Sequence, residues 1–419
     1  MFLVEGKARE DDSGAPPCLE DAELLRVLDW IALQIAAGTD GADVLRGLME
    51  RLLAAGMPVA RVMLGGDTVD PVLAGTILRW ERGAEEVARV DYSHQQHRDN
   101  AGVWENSPFY YLWHGPERVL RCRLEGDGPL EHQFPILAEL RAQGITDYVA
   151  WVVRLEGQAA IGDLDGIFSS WACDRPGGFA EQHVALIQRL APHLSLLTQA
   201  YALRRIVRTV AQTYLGQDPA RRLLSGAVER GVAEKIPAVI WFSDLHGFTA
   251  LVDRLSPRDV LPLLNDYADV VVEAVHAHGG QVLKFIGDGI LAIFPIDGSA
   301  EEACRQSLRA AKSAFRTLRD LTERRRAAGQ AVTGAYVALH TGDVFYGNVG
   351  ALQRLDFTVV GAAVNETSRM LGLSRDLSCD LLLSETFVSM AGGGPHYRDL
   401  GEHSLRGVAA PRRIFTHPF

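Results

Sequence analysis

The stretch from Pro237 to Phe294 constrains the fold more than any other part of the chain, because strand, helix and hairpin signals follow one another in close succession. PAVIWFS (237–243) is a short apolar run of the kind found in buried strands. Ser256, Pro257 and Asp259 mark a helix start: a serine to cap, a proline suited to the first turn, and an acid to complete a capping box. Val260, Leu263, Leu264, Tyr267, Val270, Val271, Ala274 and Val275 then form one apolar helical face, which Gly279–Gly280 ends. VLKFIG and ILAIF flank Asp288–Gly289 as a tight hairpin. Ser299 with Glu302 caps another helix, strands AYVALHTG and VFYGNVG follow, and a further helix falls near 363–372. These elements predict an α+β domain with helices on one face of a sheet.

The first half reads differently. Residues 1–18 are polar with Gly and Pro, a disordered arm by composition. Leu24, Leu25, Leu28, Ile31, Leu33 and Ile35 predict one helix, and Val44, Leu45, Leu48, Leu52 and Leu53 a second after a GTDG break. Strand-like runs lie at 59–64, 76–81, 109–113, 118–124, 148–155 and 166–173, and the polar, His-rich stretch 82–107 predicts a loop. A long helix is expected from Phe179 to Leu215, broken or kinked early by Pro192. Its stripe of Leu194, Leu197, Ala200, Leu203, Val207, Val210 and Tyr214 suits either a partner helix or its own domain. Residues 216–235 read as a polar, Gly-containing linker. The expected layout is an arm at 1–18, a first domain at 19–192, a helix and linker at 193–235, and a second domain at 236–419.

Composition narrows the partners. A chain of 419 residues with 47% hydrophobic and 23% charged residues is globular and long enough for two domains. The net charge of -11 argues against nucleic acid or an anionic membrane as the main partner, though not against a nucleotide bridged by divalent metals. Cys18, Cys122, Cys173, Cys304 and Cys379 are scattered and form no CxxC, so they read as reduced thiols. The N-terminus lacks a basic region leading into an apolar core, and no apolar run reaches membrane-spanning length. A cytoplasmic protein is expected.

Two carboxylates carry the chemistry. Asp244 ends an apolar strand and leads into LHGFT, where the backbone N–H groups of Gly247, Phe248 and Thr249 can face a phosphate. Alone, Asp244 reads first as a helix cap, and Asp288 as part of a type I′ turn. Together, on neighbouring strands, they suit Mg²⁺ or Mn²⁺ with a triphosphate completing the shell.

FSDLHGFT (242–249) and VLKFIGDGILAIF (282–294) resemble the two metal-binding signatures of the class III nucleotide cyclases. HTGDVFYGNVG (340–350) resembles the strand pair that follows in that family, FTVVGAAVNETSR (357–369) its substrate and transition-state segment, and SLRG (404–407) its closing strand. The resemblance implies a ferredoxin-like (βαββαβ) catalytic domain in which Asp244 and Asp288 hold two divalent ions, Mg²⁺ or Mn²⁺. It places Lys284 at the purine with Thr358 beside it, Asn365 at the ribose, Arg369 at the α-phosphate, and Arg406 where many relatives carry a phosphate-binding lysine. A lysine donor fits the N1 acceptor of adenine, whereas guanine wants an acceptor there, so the expected substrate is ATP and the product cyclic AMP. The metal acids of one domain face the purine residues of another in this family, which implies a homodimer.

The alternatives are a guanylate or dual-specificity cyclase, which the Lys284–Thr358 pair disfavours, and a silent nucleotide-binding module, which retention of both acids and of Asn365 and Arg369 disfavours. Residues 19–192 resemble, more loosely, an α/β GAF-like or PAS-like sensor domain that receives an unknown small-molecule or protein signal. Trp80, Trp104, Trp113, Trp151 and Trp171 line a pocket there or simply fill the core. His94, His97, His114 and His132 show no metal-site spacing.

Overall fold

The computed structural model describes residues 19–126, 134–155, 157, 160–162, 164–227, 229 and 231–418. The expected arm at 1–18, with Cys18, and His132 lie outside the described residues. The chain divides into two units, Met1–Thr209 and Val210–Phe419.

The first unit opens with α1 (Asp21–Ala37) and α2 (Gly41–Ala54). Gly38 ends α1 at a φ of +74°, and Asp40 caps α2 by accepting the Ala42 N–H at 2.9 Å. There follow β1 (Arg61–Asp67), β2 (Leu73–Glu81), β3 (Ala88–Ser93), α3 (His94–Asp99), α4 (Ala101–Glu105), α5 (Pro108–His114), β4 (Val119–Arg123), α6 (Pro135–Ala142), β5 (Asp147–Arg154), β6 (Gly166–Cys173) and α7 (Glu181–Leu215). The strands pair antiparallel in the order β3-β2-β1-β6-β5-β4. Trp80, Trp151 and Trp171 are buried in the core.

Two expectations fail here for local reasons. Residues 109–113 form helix α5 rather than a strand, because the Ser107 hydroxyl accepts the Tyr110 N–H at 3.1 Å and Pro108 occupies the first turn. The expected loop at 82–107 holds β3, α3 and α4; a reciprocal capping box between Ser93 and Gln96 starts α3. Pro192 sits inside α7 without ending it. The stripe on α7 divides in two: Leu194 and Leu197 are buried, while Val207 and Tyr214 are exposed.

The second unit begins with α8 (Gln217–Leu224), where a linker was expected. Then come β7 (Ala233–Leu245), α9 (Phe248–Val252), α10 (Pro257–Ala277), β8 (Gln281–Ile286), β9 (Gly289–Pro295), α11 (Ala300–Ala327), β10 (Ala335–Ala351) and β11 (Arg354–Val360). The chain closes with α12 (Ala362–Leu371), α13 (Ser374–Leu377), β12 (Leu381–Ser384), α14 (Glu385–Met390), β13 (Arg398–His403) and β14 (Arg412–Thr416). The sheet order is β13-β14-β12-β10-β7-β9-β8, with β11 paired to β10. Its centre, β10-β7-β9-β8, is antiparallel throughout and is built by the β-α-β-β-α-β run from β7 to β10.

Alternation along β7 sends Val239 and Trp241 toward Tyr267, Val271 and the α11 alanines, and Ala238 and Ile240 toward Tyr346, Phe357 and Ala363. The sheet is therefore covered on both faces, with α12 opposite α10 and α11, and not on one face as expected. Each fully buried aliphatic side chain in these layers contributes about 1.5–3 kcal/mol. The Ser299 hydroxyl caps α11 by accepting the Glu302 N–H at 3.3 Å. Ser256 takes the capping position of α10, but its hydroxyl donates to the Asp259 carboxylate at 2.7 Å instead of accepting a backbone N–H. SLRG (404–407) is a loop between β13 and β14 and not a strand. Cys122, Cys173, Cys304 and Cys379 are buried. Among the described residues, no helix is long and apolar enough to cross a membrane.

Candidate active site

Asp244 stands one residue before the end of β7, and β7 pairs with β9 through Ser243 and Ile290. That pairing brings the β8–β9 turn, Gly287–Asp288, beside the end of β7. Positive φ occurs at Gly287 (+65°) and not at Asp288, so this is not the type I′ turn that the Asp-Gly pair predicts. Gly289 is hemmed in: a Cβ there would lie 3.0 Å from the Ser243 carbonyl and 3.6 Å from Asp244 Oδ1. The Leu245 N–H donates to Asp288 Oδ2 at 3.3 Å.

The two acids meet. Burial, then the hydrogen bond and charge of Asp288, push the Asp244 carboxyl up to about 7. A divalent cation between the two carboxylates relieves the same repulsion that raises the Asp244 carboxyl. The donor set therefore fits a hard, oxygen-seeking ion. Tyr267 of α10, read from sequence as plain core, lies within electrostatic reach of both carboxylates; burial is the main reason its phenol is pushed up.

Beyond Asp244 the chain turns at Gly247, whose φ of +58° is left-handed, and enters α9 at Phe248 and Thr249. The first α9 bond runs from the Leu251 N–H to the Gly247 carbonyl, so the amides of Gly247, Phe248 and Thr249 precede the helix ladder. The Phe248 ring packs against the core. His246, given no catalytic role from sequence, stacks on Tyr336 with centroids 4.0 Å apart.

Lys284 projects from β8 next to an irregularity in the β8–β9 register. Its ammonium donates to Asp356 Oδ2 of β11 at 2.5 Å. Thr358, two residues on and thus on the same strand face, is buried, and its hydroxyl has no hydrogen-bond partner. Asp356 was missed from sequence, although the period-two rule places it beside Thr358.

Asn365 and Arg369 lie four apart on α12 and are both exposed. Between them Glu366 accepts from Arg412 Nε at 2.7 Å. The Arg369 guanidinium reaches the loop after β13: a Cβ on Gly407, at φ +74°, would sit 2.6 Å from Arg369 Nη1. Arg406 is an exposed member of that loop. One chain thus forms three groupings: Asp244 with Asp288, Lys284 with Asp356 and Thr358, and Arg369 with the 404–407 loop. Among the described residues, no hydrogen bond or ion pair of these residues joins one grouping to another.

The family of adenylate and guanylate cyclase catalytic domains matches residues 232–416, a span that contains all three groupings. Residues 232–416 thus match the catalytic domain of the adenylate and guanylate cyclases. The cyclase domain is 32% identical over 178 residues to adenylate cyclase 1 of Rhizobium meliloti, covering 42% of this chain and 26% of that protein. It is 32% identical over 163 residues to an adenylate cyclase of Anabaena cylindrica, covering 38% of this chain and 32% of that protein. The chain thus spans less than a third of the length of either relative. The crystal structure of the adenylyl cyclase CyaB from P. aeruginosa aligns with 45% of this chain and 96% of that one, at 24% identity and a TM-score of 0.42; that likeness by itself assigns nothing.

Proposed function

We propose that the chain is an adenylate cyclase that converts ATP to 3′,5′-cyclic AMP and pyrophosphate at sites shared by two copies of a ferredoxin-like cyclase domain. The observation that carries the reading is the meeting of Asp244 and Asp288, two acids from different elements that burial and mutual repulsion leave in need of a cation. Two carboxylates, and no cluster of three or more such ligands among the described residues, leave the remaining coordination positions to phosphate and water oxygens. Asp244 and Asp288 would hold two Mg²⁺ or Mn²⁺ ions, which supply charge neutralisation at the phosphates and acidify the attacking 3′-hydroxyl.

The chain's own groups do the rest. Lys284, held in place by Asp356, donates to N1 of adenine, with the Thr358 hydroxyl alongside as a second polar contact. Asn365 orients the ribose so that the 3′-oxygen lies in line with the α-phosphorus. Arg369 neutralises charge on the α-phosphate, and its planar fork is held against Gly407. The amides of Gly247, Phe248 and Thr249, and Arg406, face the polyphosphate. We read the facing half of each site as supplied by a second copy, as the resemblance to the cyclases implies.

The first unit we read as a GAF-like or PAS-like sensor. Its antiparallel sheet in the order β3-β2-β1-β6-β5-β4, with helices α3 to α5 inserted between β3 and β4, supports that reading.

The test is direct. The purified chain is incubated with ATP or GTP and either Mn²⁺ or Mg²⁺, and the cyclic product is identified by mass. Cyclic AMP is expected to dominate. Cyclic GMP as the main product overturns the base assignment, and no cyclic product with either nucleotide overturns the enzyme.

A further inference from the structure

The first unit encloses a cavity of about 600 Å³, within the size range of small-molecule sites. Its floor is β1, where Gly65 and Gly66 present bare backbone, together with β2 and β6; α3, α4 and α5 close it from above. The walls are aromatic. Phe168 of β6 is the centre of the group, with Trp104, Phe109 and Trp113 rings at 5.3, 5.6 and 5.5 Å from its own. Two glycines make the arrangement possible. A Cβ on Gly166 would strike the Trp113 ring at 2.4 Å, and one on Gly75 would strike the Tyr92 hydroxyl at 2.1 Å. The space left at Gly75 lets Tyr92 donate to Asp67 Oδ1 at 2.6 Å on the cavity wall.

The charge of the lining is one-sided. Asp67 and Asp165 line the cavity, whereas none of its described lining residues is a lysine or arginine. The basic groups that face it are the imidazoles of His97 and His114. His97 stacks on Tyr92, and His114 Nδ1 is engaged by the Tyr110 carbonyl at 3.0 Å. Trp113 already draws one cation: the Arg154 guanidinium lies over its ring, 5.3 Å from the centroid. Aromatic faces attract cations through the ring quadrupole, and two carboxylates in the same lining strengthen the preference.

We propose that this cavity is a receptor site for a small organic cation, an ammonium or amidinium group carried on a flat apolar body. The cation would sit toward Asp67 and Asp165, and its body among Trp104, Trp113 and Phe168. This deepens the reading of the first unit as a sensor by naming its class of signal, and it does not depend on the catalytic assignment.

The test is isothermal titration calorimetry on the full chain with two matched series: tryptamine, tryptophol and indole-3-acetate, and benzamidine, benzamide and benzoate. In at least one series the cation is expected to bind roughly tenfold more tightly than its neutral counterpart, with the anion weakest. Asp67→Asn with Asp165→Asn is expected to remove that advantage while leaving the neutral compound's affinity within about twofold, an outcome that collapse of the fold cannot mimic. If the double variant does not fold by circular dichroism, Asp165→Asn alone carries the comparison. The proposal is overturned if neither cation binds saturably up to about 5 mM, if the neutral or anionic compound binds as tightly in both series, or if the preference survives the substitutions. The readout is binding, so an inactive cyclase leaves it standing, and an active one does not rescue it.

Discussion

The Asp288 carboxylate acts directly on the Asp244 carboxyl and raises its pKa, although one stands near the end of β7 and the other at the tip of the β8–β9 hairpin. Without a cation this pair works against folding. The Asp244 pKa is raised from 3.8 to about 7, so the folded chain binds a proton there more tightly than the unfolded chain does. Metal-free stability therefore falls as pH rises from about 4 to about 7 and stays low above that. Asp244→Asn is expected to be inactive yet more stable than the parent at pH 8 in EDTA. The half-exposed position limits the gain to about 1 kcal/mol, or about 2–4 °C in Tm. Near pH 4 the gain should vanish. Thermal unfolding at the two pH values checks this, and a less stable variant at pH 8 would mean the acids do not repel.

Lys284 and Asp356 define a second dependence. An ammonium held at 2.5 Å by a carboxylate is fixed in place. Asp356→Asn keeps the shape but loses the charge, so Lys284 should wander. The expected result is a loss of roughly tenfold in kcat/KM for ATP, carried mainly by KM because base binding is felt in ground and transition states alike. Asp356→Glu should recover part of it. Loss confined to kcat would place Asp356 in the chemistry and not in base binding.

How much of this was visible in the sequence depends on the range of each interaction. Asp244 and Asp288 could be read because a strand end and a hairpin tip are local features, and pairing of β7 with β9 then joins them. The place of Asp356 beside Thr358 follows from strand alternation, but its meeting with Lys284 of β8 does not, since that depends on β11 folding back along β10. α8 was hidden for the same reason. Its polar sequence reads as a linker, but Asp218 is buried and accepts from Tyr346 of β10 at 2.9 Å, a contact that only the folded sheet provides. α5 failed in the opposite way: the strand propensity of FYYLW outweighed a cap and a proline just upstream. The cavity of the first unit depends on close approaches at Gly75 and Gly166 that no periodicity announces.

His340 gives the cyclase domain an acid sensitivity. It is buried on β10, with Nδ1 2.9 Å from the Ser384 hydroxyl and 3.3 Å from that of Thr386. Burial lowers its pKa, with Glu366 opposing and Arg412 assisting. A depressed histidine is stabilising while neutral, so its contribution is complete above the unfolded value of about 6.5 and is lost as pH falls below it. The parent should lose stability between pH 7 and 5.5 more steeply than His340→Gln, by at most about 1.4 kcal/mol per pH unit. Urea unfolding of both proteins across that range gives the difference, in which other titrating groups cancel. Parallel pH profiles would show that His340 is not the group responsible.

The separation of the three groupings leads to the sharpest test of assembly. If Asp288 of one copy works with Arg369 of another, each dimer holds two sites, and each site draws on both chains. Asp288→Ala and Arg369→Ala homodimers should then lose at least about a hundredfold in kcat, since metal binding and α-phosphate stabilisation are each that large a part of such a reaction. In a mixed dimer one site collects both defects and the other collects neither. Co-expressing the two variants under different tags and purifying through both tags should therefore restore about half of the parent activity per dimer. A doubly tagged heterodimer that stays as inactive as either parent variant would mean that Asp288 and Arg369 serve the same site from a single chain.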